Sequence, residues 1–272
     1  MQMRNDFLNG VSMVARLFFA FTLGLLGGLF ASVTSASAAD SYHTDYRVTL
    51  IGLPVARATF TTKITDPGYT ITGDITSAGI VNIFTSLNAK SSVSGTLLSG
   101  DRMQPESYKL IYTRGKRTRV YDVRYASGNI VETTITPQPN RDSNRWIPVK
   151  SADFKSVLDP IGALIIPDDG KICSRTLPVY DGESRMDLVL APKGKAKFDA
   201  GNVSGEAIVC SVRYQPKSGY NKDQSDIDYL RNATSMEIWF AKTRTGSLYA
   251  PVYARVPTRM GTLSITATAF GK

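Results

Sequence analysis

Beyond residue 45, apolar and polar residues alternate with a period close to two, in short runs rich in Thr, Ile, Val and Tyr. Successive side chains of a strand point to opposite faces, so this spacing predicts strands. The runs at 46–51, 58–65 and 69–76 come first, and Asp66-Pro67-Gly68 is a turn signal that folds the last two into a hairpin. Runs at 91–98 and 106–114 follow across Ser99-Gly100-Asp101. Gly115-Lys116 then separates 108–114 from 118–125, and Ser127-Gly128-Asn129 turns the chain into 130–136. The pattern is that of a meandering antiparallel sheet.

The middle of the chain breaks this rhythm. Pro137, Pro139 and Pro148 lack the donor that a central strand needs. Asp159-Pro160 opens 161–166, where Asp is an N-cap and Pro a first helical residue, so one or two helical turns are expected. The stretch 80–87 reads as a second short helix, with a strand nearly as good. Strands resume at 175–180, 185–190, 206–214, 236–242, 249–256 and 262–270. In the last, Leu263, Ile265, Ala267 and Ala269 face one way and Thr262, Ser264, Thr266 and Thr268 the other. No repeat or linker divides this part. The expected fold is all-β: a strongly curved antiparallel sheet, an open β-barrel or β-spiral, with one or two short helices.

The first 38 residues follow another pattern. Arg4 and Arg16 precede an uncharged apolar run at 17–30, and Ala36-Ser37-Ala38 offers small residues for a signal peptidase. This is the layout of a Sec-type signal peptide, 1–38, cleaved to leave one β domain at 39–272. The run is shorter than the roughly 20 residues that span a bilayer.

Export changes how the charge and the cysteines are read. The formal net charge is +9, which suits anionic lipid headgroups, lipopolysaccharide phosphates or acidic cell-wall polymer; a nucleic-acid partner is not expected outside the cytoplasm. Cys173 and Cys210 are the only two cysteines, and in an oxidising compartment they are expected to form a disulfide.

The candidate chemistry is thin. His43 is the only histidine and lies near the expected cleavage site, on a terminus too loose for a nucleophilic triad. One histidine and a cysteine pair do not make a zinc site. Asp168-Asp169 and Asp181/Glu183 lie in turn-like surroundings rather than facing one another across a sugar. The run Asp223-Gln224-Ser225-Asp226-Ile227-Asp228 lacks the glycine and terminal glutamate of a calcium loop and reads as a solvated loop. No catalytic residue, metal or cofactor is expected, and the protein reads as a non-enzyme. Two binding features remain. Arg114, Lys116, Arg117 and Arg119 cluster at a hairpin tip between Tyr112 and Tyr121, either as a docking surface or as solvated cations whose stems cover the sheet. Lys193, Lys195 and Lys197 around Gly194 form a second basic turn with the same ambiguity. Trp239, Phe240 and Tyr249, with Trp146 and Tyr253, either line an apolar cavity or fill the core.

Several local patterns occur in a telling order. Asp101-Arg102-Met103-Gln104-Pro105-Glu106-Ser107-Tyr108 leads to Arg114-Gly115-Lys116-Arg117; Asp159-Pro160-Ile161-Gly162-Ala163-Leu164 follows; Leu177-Pro178-Val179-Tyr180-Asp181-Gly182 precedes Met186-Asp187-Leu188. Over 42–270 this order resembles the bacterial exported proteins of domain-of-unknown-function family 3108, although Gly162 stands where related sequences often carry a hydroxyl residue. That family is similar to periplasmic carriers of the lipoprotein-localisation type, whose curved sheet wraps a central helix. The resemblance implies a periplasmic open barrel and supplies no catalytic residues. The expected function is to bind an apolar or amphiphilic ligand, a lipid or lipoprotein acyl chain, in the concave sheet. The alternative is an envelope-integrity scaffold that contacts peptidoglycan or another periplasmic protein through the basic hairpin.

Overall fold

Period-two alternation is realised as one long antiparallel sheet in a computed structural model that describes residues 40–79, 87–244 and 246–271. The first seven strands are β1 (Asp40–Leu50), β2 (Leu53–Thr65), β3 (Gly68–Ser77), β4 (Leu87–Leu98), β5 (Arg102–Arg114), β6 (Arg117–Ala126) and β7 (Asn129–Thr136). Two-residue strands follow at β8 (Trp146–Ile147) and β9 (Ile166–Pro167), then β10 (Thr176–Tyr180), β11 (Arg185–Asp199), β12 (Ser204–Ser218) and β13 (Tyr220–Asn221). An α-helix, α1 (Ser225–Asn232), precedes β14 (Glu237–Lys242), β15 (Leu248–Thr258) and β16 (Gly261–Ala269). The strand order is β10-β11-β12-β14-β15-β16-β1-β2-β3-β4-β5-β6-β7, with β9 paired to β15 and a separate β8–β13 ladder. Every ladder in the main sheet is antiparallel.

The sheet is curved but not closed. Register shifts at Ser94/Gly95, Arg124/Tyr125, Pro192/Gly194 and Trp239/Phe240 add local twist. The curl brings β10 near β6, where the Tyr125 hydroxyl donates to the Tyr180 carbonyl at 3.5 Å. A short stretch of backbone spans the remaining gap. The Val157 N–H donates to the Gly128 carbonyl at 2.9 Å, and Leu158 exchanges bonds with Pro178 and Tyr180 at 2.8 and 3.0 Å. Two glycines let rings lie flat on the concave face. A Cβ on Gly73 would strike the Phe60 ring, and one on Gly95 would strike the Tyr69 hydroxyl and the Gln104 carbonyl.

Three expectations need correction. The run at 223–228 is not a loop: it contains the start of α1, with Asp226 and Asp228 in the first turn and Arg231 in the last, charges that suit the helix dipole. Leu230 packs against a buried cluster and ties the helix down. Lys193-Gly194 is not a turn either. The register shift at Pro192/Gly194 absorbs the proline and glycine, and β11 runs on to Asp199 with Lys193 paired to Glu237 and Lys195 to Glu206. His43 is held in β1, between Thr61 Oγ1 at 3.2 Å and Asp45 Oδ1 at 3.1 Å. The helical turns expected after Asp159 are a single 3₁₀ turn, Gly162–Leu164. The signal peptide and most of the expected 80–87 helix lie outside the described residues; Leu87 begins β4.

Candidate functional site

The core is divided into three buried clusters. One holds Cys173, Cys210, Leu177, Val179, Ile238 and Phe240; a second holds Tyr69, Ile71, Val93, Tyr108, Tyr125 and Tyr180; a third is small-residue packing around Ala207, Ala241, Val252, Ala267 and Phe270. Where they meet, the interior is not filled. A cavity of about 290 Å³ lies between β1, β2, β3, β15, β16 and the segment at 160–165.

Strand register explains its lining. Tyr42, Thr44, Tyr46 and Val48 are alternate residues of β1 and line the cavity, whereas His43, Asp45 and Arg47 between them do not. Tyr46 pairs with Ala58, Thr44 with Phe60 and Tyr42 with Thr62, so β2 presents the same face. Tyr46 and Phe60 meet edge to face at 5.9 Å, and the Tyr46 hydroxyl donates to the Pro251 carbonyl at 2.7 Å. Burial pushes that phenol well above its ordinary pKa, so it stays neutral. Ile265 and Phe270 close one wall, with Phe270 held through its backbone by the Asn202 side chain at 2.8 and 3.0 Å.

The opposite wall is Pro160, Ile161, Leu164 and Ile165. Asp159 organises it. Its Oδ1 accepts the N–H groups of Ile161 at 2.9 Å and Gly162 at 2.7 Å, while Oδ2 is buried without a hydrogen-bond partner among the described residues. Burial raises the Asp159 pKa to about 6, against the lowering effect of those backbone bonds. Gly162 gives that carboxylate room, since a Cβ would meet Oδ2 at 2.5 Å and the Asp159 side chain would have to shift. Burial first, and the Asp159 charge second, push the Tyr69 and Tyr125 hydroxyls upward.

This architecture can be set against known proteins. The model of a family described as a protein of unknown function, DUF3108, matches residues 45–268. The chain belongs to the DUF3108 family. No curated protein matches it. Among solved structures it is similar to a beta-barrel-like protein of the domain of unknown function DUF1849 from Brucella abortus, at 10% identity and a TM-score of 0.50, over 85% of this chain and 96% of that one. That likeness speaks for the fold, a barrel-like curved sheet. Among the described residues of this DUF3108 chain, a 3₁₀ turn, Gly162–Leu164, and its flanks line the cavity.

The structure also places each candidate residue. Cys173 and Cys210 are disulfide-bonded, with Cα atoms 5.3 Å apart. Trp239, Phe240 and Tyr249 do not line the cavity. Phe240 is fully buried in the disulfide-bearing cluster, and Tyr249 packs against that cluster. Trp239 meets Tyr253 in a tilted ring contact at 4.6 Å and packs against the alanine cluster. Its neighbour Ile238 lines the cavity instead, as does Tyr253. Trp146 lies under the Arg141 guanidinium at 4.5 Å. Arg114, Lys116 and Arg117 are exposed at the β5–β6 tip, with no carboxylate in ion-pair range among the described residues. Arg119 is turned away from the tip: it bonds Tyr121, which donates to Glu183 at 3.2 Å. One acid of each pair bonds locally, Asp169 with Lys171 and Arg175, and Asp181 with the N–H groups of Glu183 and Ser184, while Asp168 pairs with Lys242 and Glu183 with Arg141 and Tyr121. No group of metal-ligating side chains forms among the described residues.

Proposed function

We propose that this protein is a non-enzymatic component of the bacterial cell envelope, periplasmic after export, that holds an apolar or amphiphilic ligand in the cavity under β1 and β2. The supporting observation is the cavity itself. Leaving about 290 Å³ unfilled forfeits packing on the order of several kcal/mol, a large share of a typical folding free energy. Its lining is dominated by Val, Ile, Leu, Phe and the faces of Tyr, with threonines and tyrosine hydroxyls as the polar points. The volume is near the lower end of the roughly 300–1,000 Å³ typical of small-molecule pockets. That suits one hydrocarbon chain, such as a lipid or lipoprotein acyl chain, better than a whole phospholipid.

The test is filling the cavity from within. Ala58 is buried and lines it, so Ala58→Phe should cut binding of a dansyl-labelled medium-chain fatty acid at least tenfold while the protein still melts cooperatively. Native mass spectrometry of the wild type after gentle extraction should show a co-purifying amphiphile that the variant lacks. A wild type that carries no amphiphile and does not take up the probe would refute the proposal.

A further inference from the structure

One rim of the sheet combines exposed apolar side chains with cations that have no carboxylate in ion-pair range among the described residues. The β1–β2, β15–β16 and β5–β6 turns all fall on this rim, because Leu50 pairs with Leu263, Arg57 with Thr76, Thr76 with Asn88, and Leu87 with Arg114. On it Ile51 is 67% exposed, Leu53 60% and Met260 72%. Ile51 and Met260 are neighbours: the Ile51 N–H donates to the Thr262 carbonyl at 2.9 Å, and the Ile51 side chain fills the space over Gly261.

The Ile51 conformation makes the exposure informative. Ile51-Gly52 forms a tight hairpin turn with φ of +51° and +79°. Asn-Gly or Asp-Gly is the ordinary choice there, and a β-branched residue at positive φ is an outlier. The chain thus holds a strained isoleucine in solvent where asparagine would be relaxed. Strain kept at an exposed position points to use rather than to packing. Farther along the rim stand Arg114, Lys116 and Arg117, and beside Met260 stands Arg259, whose guanidinium donates to Ser225. Of the acids at this end, Asp228 is paired with Arg231 and Asp223 with Arg145, and Asp226 lies in the first turn of α1.

Apolar tips framed by cations match a lipid headgroup boundary, where hydrocarbon is buried shallowly and basic residues meet anionic lipid. We infer that this rim docks on an anionic phospholipid leaflet, with Ile51, Leu53 and Met260 entering the interface and Arg114, Lys116, Arg117 and Arg259 engaging phosphates. The inference does not depend on what the cavity holds.

The test reads position 51 directly. With both native cysteines in a disulfide, Ile51→Cys in the full chain can carry a single environment-sensitive fluorophore. A matched label at Val131→Cys, 64% exposed on β7 away from the rim, serves as the control. With vesicles of phosphatidylcholine and one-third phosphatidylglycerol, the label at 51 should brighten and shift to the blue, and the label at 131 should not. Vesicles of phosphatidylcholine alone, or high salt, should suppress the response. Reversing Arg114, Lys116 and Arg117 to Glu should weaken vesicle association at least tenfold, and on the order of a hundredfold if all three reach the surface. A label at 51 that stays silent on anionic vesicles, or that responds no more than the label at 131, overturns the inference and assigns the rim to a protein or cell-wall partner.

Discussion

The two larger clusters that flank the cavity are built on different physics. The cluster around Cys173–Cys210 is apolar and cross-linked, with Leu177, Val179, Val212, Ile238 and Phe240 gathered around the disulfide. The cluster under β3 to β6 buries four tyrosines, Tyr69, Tyr108, Tyr125 and Tyr180, and three of their hydroxyls feel the charge of Asp159. One wall is therefore stiffened by a covalent bond and dispersion contacts. The other is held by polar groups whose protonation sets its stability. Any response of the cavity to pH belongs to the tyrosine side.

Three perturbations sharpen this contrast. Replacing Cys173 and Cys210 by Ser should have the largest effect, a loss of about 4 kcal/mol in chemical denaturation, since the bond closes a loop of 37 positions. Hydrogen exchange should show that loss first in β10 to β12. Asp159 comes next. Its folded pKa, about 6, lies above its unfolded value of 3.8, so the folded state holds the proton more firmly. Its contribution is intact below pH about 4 and is lost as pH rises through about 6, on the order of 3 kcal/mol in all. Asp159→Asn should flatten its part of that fall in melting experiments across the acid range, leaving the part due to Asp181, which burial shifts in the same direction. Gly95→Ala should be milder, about 2 kcal/mol, because the new Cβ would press on the Gln104 carbonyl and the Tyr69 hydroxyl. If it also weakens probe binding at the cavity, the tyrosine side transmits strain to the cavity lining.

Much of the fold was legible because a strand declares itself by its own alternation. The hairpins at Asp66-Pro67-Gly68, Gly115-Lys116 and Ser127-Gly128 fall where the turn residues put them. Long β11 was hidden because Pro192 and Gly194 look like a turn when a register shift can absorb both. α1 was hidden because eight residues carry too few apolar positions to show a period. The cavity was harder still. Aromatic content drew attention to Trp239, Phe240 and Tyr249, yet these fill well-packed clusters. A hole is lined by whichever side chains fail to reach one another, and that depends on sheet curvature rather than on any local pattern. Alternation in β1 and β2 did carry a signal, since Tyr42, Thr44, Tyr46 and Val48 share a face with Phe60 and Ile64.

The pairing of β1 with β16 has a kinetic consequence. Asp45 meets Ala269 across the sheet, so nearly the whole described sequence lies between two adjacent strands. Contacts that distant in sequence form late and slowly, after the local hairpins. A chain made from its N-terminus cannot shape this cavity until its last strand is present. The cavity is thus the last part of the molecule to mature, and anything that occupies it would act on the final step of folding as well as on the finished protein.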